Sequence, residues 1–242
     1  MLIPELAKTV LKAKVINNLE DYGVSVINLN GIYFNHFMRL YCNIKGINDI
    51  QPDQEGLNIP IRCSGITDLD PDIILEEEEK YTDANGKEFI KKIKILNKPH
   101  KENILYGENH ALKLLPSINS SEFGRLFVAR FKTLEYDLAM EGKNAIEMAK
   151  ILIELWPSSK GSVKQELQAI VNDDFSKITH EKKADHAFEI LKRVDDTKIG
   201  KGYFAQVLAD KISSETVELV VPQYIENAIL WACSLEKSSV EK

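Results

Sequence analysis

The chain has 242 residues, of which 44% are hydrophobic and 28% charged, so it is long enough to bury a substantial core. Its formal net charge of -6 means that the overall field repels a polyphosphate, so any contact with nucleic acid must be local. Its three cysteines show no metal-ligand spacing, which argues against a zinc site and a disulfide framework and favours a reducing cytoplasm. No segment approaches the ~20 apolar residues of a membrane span, which argues against a membrane location.

Helices alternate with strands in the first part of the chain. Apolar residues over positions 3–19 follow the helical period and predict an amphipathic helix, which Gly23 ends. The β-branched run at 24–28 predicts a buried parallel strand, followed by a helix at about 34–44. The apolar run at 59–71 predicts a second central strand with acidic residues at its end. This alternation predicts a mainly parallel sheet, whose chemistry lies beyond the carboxyl ends of the strands.

A different pattern interrupts this alternation at about 76–98, where an acidic run and a basic run flank an Asn-Gly pair typical of a β-hairpin. The segment 124–131 predicts a third strand. Beyond it, helices are predicted at 145–156, 162–171, 183–194, 203–212 and 222–235. We therefore predict an α/β fold with a core over residues 1–140, which carries the hairpin insertion, and a helical region over 141–242.

Two aspartates end the second predicted strand. Asp68 and Asp70 are two residues apart, so their side chains share one face of the strand, about 7 Å apart along the backbone, and can converge on a cation. Carboxylate oxygens are hard ligands that suit Mg²⁺ or Mn²⁺. An Asp-x-Asp-Pro sequence is also an ordinary turn, and the residues alone leave that alternative open.

Glu135 follows the third predicted strand and joins the same edge of the sheet as the aspartates. Acids that converge in this way favour divalent cations, and two metals about 3.5 to 4 Å apart can clamp both oxygens of a phosphodiester displacement, as in nucleases and polymerases. Thr133 either supplies a hydroxyl ligand or caps the following helix.

Lys201 lies between two glycines at the start of a predicted helix, where it can reach a phosphate or remain a solvated helix start. The segment departs from the phosphate-binding pattern GxxxxGK[ST], because Asp195 occupies the position of the first glycine and Gly202 that of the hydroxyl residue. The departure argues against ATP binding by this chain.

Four segments in this order resemble the Toprim domain of OLD-family (overcoming lysogenisation defect) nucleases: Val26-Ile27-Asn28-Leu29-Asn30-Gly31, Ile66-Thr67-Asp68-Leu69-Asp70, Lys132-Thr133-Leu134-Glu135-Tyr136-Asp137-Leu138-Ala139 and Gly200-Lys201-Gly202-Tyr203-Phe204-Ala205. The resemblance covers most of the chain from residue 2 to about residue 212. It implies a Toprim-like Rossmannoid, mainly parallel sheet with flanking helices.

The resemblance also implies roles for individual residues. Asp68, Asp70 and Glu135 correspond to metal ligands, Thr133 lies at or next to the metals, and Lys201 corresponds to a lysine near the scissile phosphate. Family members join an ABC-type ATPase to the nuclease, form dimers and act on DNA in phage defence or repair. The expectation is therefore a cytoplasmic Mg²⁺- or Mn²⁺-dependent DNA endonuclease domain with a two-metal site, an ATPase domain or chain as partner, and a homodimeric state.

The start of the chain departs from the family pattern. The family's Toprim domain opens with a strand that ends in a glutamate motif similar to EGxxE, followed by a helix similar to Leu2-Ile3-Pro4-Glu5-Leu6-Ala7-Lys8. Met1 stands where that motif should end, so the comparison with the family implies that the chain lacks a central strand and one or two metal ligands. The alternative function is a non-catalytic dimerisation or DNA-binding module, or a fragment that needs a partner chain.

Overall fold

The computed structural model describes residues 2–29, 37, 41, 59–69, 75–82, 86, 88–95, 110–157 and 161–235. Two sequence predictions fall outside this set: Asp70, and all but two residues of the helix expected at about 34–44.

The described elements are those of a mixed α/β protein. In chain order they are α1 (Leu2–Leu11), a 3₁₀ turn (Glu20–Tyr22), β1 (Cys63–Thr67), β2 (Leu75–Thr82), β3 (Glu88–Ile95), α2 (His110–Asn119), β4 (Gly124–Val128), α3 (Leu134–Met140), α4 (Asn144–Leu155), α5 (Ser162–Val171), α6 (His180–Val194), α7 (Lys201–Ser213) and α8 (Gln223–Ala232).

The two strands that carry the predicted acids pair with each other. β1 and β4 are parallel neighbours in a register that runs from Cys63 opposite Gly124 to Thr67 opposite Val128. The parallel pairing confirms the prediction of two strands whose carboxyl ends meet at one edge. Helices α2 and α8 pack against this pair, and Leu126 of β4 is buried at 3% exposure.

The predicted hairpin insertion is confirmed. β2 and β3 form an antiparallel pair from Leu75 opposite Ile95 to Thr82 opposite Glu88, and Gly86 in the connection has a positive φ of 78°. The register sets the acidic run of β2 opposite the lysines of β3. Among the described residues this pair forms a sheet separate from β1 and β4.

The C-terminal half is helical, as predicted. Helix α5 has the predicted bounds and the others differ from prediction by no more than three residues at either end. One buried cluster contains residues of α1 together with residues of all the helices from α3 to α8. The division into regions 1–140 and 141–242 stays a prediction. Within the described part of the chain, none of the helices has the length and apolar character needed to cross a membrane.

The segment at 24–28 is not a strand, contrary to prediction. Val24 and Val26 pack against the main core, but Ile27 is 57% exposed and the segment pairs with none of the described strands. A β-branched run becomes a β-strand only where a neighbouring strand takes up its backbone hydrogen bonds, and the local pattern does not reveal whether one is present.

Helix α1 is shorter than predicted, and α2 was not predicted. Leu2, Leu6 and Leu11 form the buried side of α1, but Val15 is fully exposed, so the burial of the helix face stops at Leu11 although the apolar spacing continues. Pro116 lies inside α2, where proline is uncommon because it lacks the backbone N–H of a helical hydrogen bond.

Candidate functional site

The carboxyl ends of β1 and β4 fix the position of Asp68. Ala129 donates its backbone N–H to Thr67 O at 2.9 Å, and Leu69 donates its N–H to Lys132 O at 2.9 Å. The two segments that follow β1 and β4 therefore stay hydrogen-bonded beyond the ends of the strands. Asp68 Oδ1 accepts a 2.9 Å hydrogen bond from the N–H of Leu134, the first residue of α3. The Asp68 carboxylate is therefore held at the start of the helix that carries Glu135.

Thr133 is the N-cap of α3. Its backbone is extended, with φ -121° and ψ 166°, and its Oγ1 accepts the N–H of Tyr136 at 3.5 Å. Such a cap satisfies a backbone donor of the first turn that has no partner within the helix. The structure therefore gives Thr133 the capping role, one of the two alternatives that its sequence context left open. Its role at a metal stays a prediction.

Asp137 fixes the connection between β4 and α3. It is 2% exposed, and its carboxylate accepts the backbone N–H groups of Arg130, Phe131 and Lys132 at distances from 2.5 to 3.2 Å. Burial raises the pKa of the Asp137 carboxyl, against the opposing effect of these hydrogen bonds, and the charge of Glu141 raises it further. Sequence reasoning gave Asp137 no role, although it lies in the segment that carries Glu135.

Lys201 lies beside Glu135. Its Nζ is 3.7 Å from Glu135 Oε2 and 3.2 Å from Asp195 Oδ1. Partial burial alone would lower the pKa of Lys201, but the charges of Glu135 and Asp195, the hydrogen bond with Asp195 and the charge of Asp68 together raise it. The lysine is therefore held in its protonated form. Asp195, which sequence reasoning considered only as a departure from a loop motif, is a third acid at this place.

The acidic side chains offer oxygen ligands for a cation. Glu135 Oε2 is buried and has no hydrogen-bond partner among the described residues, because the 3.7 Å separation from Lys201 exceeds hydrogen-bond range. A buried carboxylate oxygen without a donor is costly, and a divalent cation would satisfy it. The donors present, Glu135 and the nearby Asp68, fit Mg²⁺ or Mn²⁺. The described residues contain no complete set of three metal-ligating acids, histidines or cysteines, and Asp70 lies outside them.

A cleft lies beside β4 and the start of α8. It has a volume of about 380 Å³ and is lined in part by Arg130, Asp137 and Tyr224, but Asp68, Glu135 and Lys201 are not among its lining residues. The hydroxyl of Tyr224 is buried and forms no hydrogen bond with the described residues. Burial raises its pKa, and the charges of Asp137, Asp68 and Glu135 raise it further. Tyr224 comes from the start of α8, far along the chain, and no local motif marks it.

The structure thus brings Asp68, Thr133, Glu135 and Lys201 to one end of the parallel strand pair. We call these four residues the acid–lysine site. They come from the end of β1, the start of α3 and the start of α7. Their catalytic and metal-binding roles stay predictions.

The chain matches no family model, and no curated protein matches it. Among solved structures it is similar to the C-terminal region of the Burkholderia pseudomallei OLD protein, with a TM-score of 0.53 and 23% sequence identity over 96% of this chain and 90% of that chain. At this identity the likeness shows the fold alone. The structure and the likeness agree with the Toprim-like α/β fold class predicted from the sequence, and the chain therefore shares its fold with the C-terminal region of an OLD protein.

Proposed function

We propose that the chain is the metal-dependent DNA endonuclease domain of an OLD-family protein. The observation that carries the proposal is the position of the Lys201 ammonium, 3.7 Å from a buried, otherwise unpartnered oxygen of Glu135. In a metal-dependent nuclease, a divalent cation would bind that carboxylate oxygen and the neighbouring ammonium would stabilise the phosphate. The resemblance of the surrounding segments to the family supports the same assignment.

Each residue of the acid–lysine site has a defined part in the proposed reaction. Asp68 and Glu135 would hold Mg²⁺ or Mn²⁺, with Asp70 and Thr133 as further ligands of a two-metal site. A divalent metal held by these residues would activate a water as the nucleophile and stabilise the attacking and leaving oxygens as the phosphodiester is cleaved. Lys201 binds a non-bridging phosphate oxygen and stabilises the negative charge that develops there. Because the acids raise its pKa, Lys201 remains a cation over the physiological pH range.

The charge of the chain shapes how it meets DNA. A net charge of -6 gives no general attraction to a phosphate backbone, so binding must depend on bound metal, on a few local cations and on a partner. Arg130, which lines the cleft next to Asp137, is one such cation. Membership of the OLD family would supply the partner as an ABC-type ATPase domain or chain. The same membership implies a homodimer that acts in phage defence or DNA repair.

Plasmid nicking tests the proposal. Supercoiled DNA is incubated with the purified chain in millimolar Mg²⁺ or Mn²⁺, and open-circular product is measured over time. We expect nicking that EDTA abolishes and that Asp68→Asn, Glu135→Gln and Lys201→Ala each reduce by about 100-fold or more. Lys211→Ala is the matched control, because Lys211 lies on the same helix as Lys201 but pairs with Glu154, and it should nick at the wild-type rate.

Two outcomes would contradict the proposal. Nicking that survives all three site substitutions would show that the acid–lysine site does not carry the cleavage. Absence of nicking with every metal, combined with DNA binding or self-association that Asp68→Asn leaves unchanged, would instead favour a non-catalytic binding and dimerisation module. Fluorescence anisotropy with labelled DNA measures DNA binding, and sedimentation velocity measures self-association.

A further inference from the structure

The connection between α6 and α7 places an acid and a lysine at fixed positions. Asp195 is the C-cap of α6, where its N–H donates to Leu191 O at 2.9 Å, and Lys201 is the first residue of α7. Between them the carbonyl of Asp196 accepts the N–H groups of Ile199 at 3.1 Å and Gly200 at 2.9 Å. The backbone of this connection is therefore ordered by its own hydrogen bonds.

Gly200 sets the start of α7. Its φ of 79° and ψ of 143° lie where residues with a Cβ are rarely found, and its carbonyl accepts the N–H of Phe204 at 3.1 Å. Phe204 is 1% exposed, so the first turn of the helix is anchored in the core. The Cα of Lys201 is thereby fixed relative to Asp195, and only the long side chain remains to be oriented.

Of the two acids beside Lys201, Asp195 makes the closer contact. The Nζ of Lys201 lies 3.2 Å from Asp195 Oδ1, which is within hydrogen-bond range, and 3.7 Å from Glu135 Oε2, which is not. The side chain of Lys201 is 43% exposed, that of Asp195 36% and that of Glu135 14%. An exposed lysine side chain otherwise samples many rotamers, and a single directed hydrogen bond reduces that freedom.

We propose that Asp195 is a positioning residue, whose carboxylate holds the Lys201 ammonium next to Glu135. The inference rests on the proposed function, since the position of Lys201 matters to catalysis only if this lysine contacts the phosphate. The Lys201 side chain is 43% exposed and that of Asp195 36%, so the contact leaves both side chains partly open to solvent.

Nicking kinetics with substitutions at position 195 test the catalytic consequence. Asp195→Asn keeps the size and one acceptor oxygen but removes the charge, and we expect kcat to fall about tenfold with little change in KM. Asp195→Glu restores the charge and should recover most of the loss. Asp196→Asn is the matched control, because its side-chain oxygen accepts the backbone N–H of Lys198 at 2.9 Å, and an amide oxygen can do the same.

A second measurement tests the contact without requiring cleavage. The chain is treated briefly with an amine-reactive reagent, and modification of Lys201 is measured by mass spectrometry relative to Lys211. We expect Asp195→Asn to raise the relative modification of Lys201 several-fold, and Asp196→Asn to leave it unchanged. Circular dichroism spectra that superimpose establish that the variants are folded.

The outcomes separate the inference from the proposed function. Wild-type rates of nicking and of Lys201 modification in Asp195→Asn would overturn the inference and leave the nuclease intact. If the wild-type chain does not nick, the nuclease proposal and the catalytic role of Asp195 both fail. In that case the modification experiment still tests whether Asp195 holds the Lys201 ammonium. If Lys201 is modified equally in Asp195→Asn and in the wild type, that contact is rejected as well.

Discussion

The N–H of Leu134 donates a 2.9 Å hydrogen bond to Oδ1 of Asp68, which joins the end of β1 to the start of α3 across 66 positions of the sequence. A residue proposed to bind metal is therefore also part of the backbone hydrogen bonding of the fold. A carboxylate at a helix N-terminus gains further stabilisation from the helix dipole. Substitutions at Asp68 consequently need a design that separates the structural effect from the functional one.

Asp68→Asn and Asp68→Ala should differ in stability. Asparagine keeps an acceptor oxygen for the Leu134 N–H, so we expect its free energy of unfolding to fall by about 0.5 kcal/mol. Alanine leaves that N–H without its partner, and we expect a loss of about 1–2 kcal/mol. Urea denaturation measures both values. Equal losses in the two variants would show that the hydrogen bond contributes nothing measurable.

Asp137 should be among the most sensitive positions for folding. Asp137→Ala removes the acceptor of three backbone N–H groups in the connection between β4 and α3, so we expect the free energy of unfolding to drop by about 3 kcal/mol. Asp210→Ala serves as the control, because Asp210 is exposed on α7 and should change stability by less than about 0.5 kcal/mol. A similar small change for Asp137→Ala would contradict the anchoring role.

Gly142, between α3 and α4, should not tolerate a side chain. Its φ is 44°, and an added Cβ would lie 2.7 Å from Cγ2 of Val220. Val220 cannot easily retreat, because Asn144 bonds both its N–H, at 2.9 Å, and its carbonyl, at 2.7 Å. We expect Gly142→Ala to lower the free energy of unfolding by about 1–3 kcal/mol.

The double substitution Gly142→Ala with Val220→Ala separates the two causes. Removing the valine methyl groups relieves the close contact but leaves the strained backbone conformation, so part of the lost stability should return. If Gly142→Ala lowers the free energy of unfolding as much in the Val220→Ala background as in the wild type, the close contact is not the source of the loss. A double-mutant cycle in urea provides the comparison.

The ion pair of Asp173 should make stability depend on pH in the acidic range. Hydrogen bonds from Lys182 and His186 lower the pKa of Asp173 from its usual 3.8 to about 2. Because the folded pKa is the lower one, the stabilisation is present above pH 3.8 and is lost as the pH falls towards 2. Asp173→Asn should therefore lower Tm at pH 6 and approach the wild type at low pH. A constant Tm difference over this range would rule out the linkage.

Metal binding should be visible in stability as well as in cleavage. A ligand that binds only the folded state at 100 times its Kd stabilises by about 2.7 kcal/mol, so millimolar Mn²⁺ should raise the Tm of the wild type. Asp68→Asn and Glu135→Gln should lose this response, while Lys211→Ala should keep it. Equal shifts in all four proteins would place the metal elsewhere and contradict the assigned ligands.

Local sequence patterns were sufficient to predict several elements. Apolar runs, an Asn-Gly turn and helical periodicity predicted β1, the β2–β3 hairpin, β4 and the C-terminal helices. The same patterns placed Asp68 and Glu135 after neighbouring parallel strands, because residues that follow parallel strands share one edge of the sheet. These strands, turns and helices depend on patterns within a few consecutive residues, so short segments of sequence are enough to predict them.

Only the tertiary structure decided the remaining features. The run at 24–28 has a strand-like pattern but pairs with none of the described strands, and Pro116 lies within α2 despite its usual effect on helices. The contact of Lys201 with Glu135, and the cleft that Tyr224 and Asp137 line together, join residues that are distant along the chain. Such relationships depend on how helices pack around the sheet, and packing is a property of the whole core rather than of any local segment.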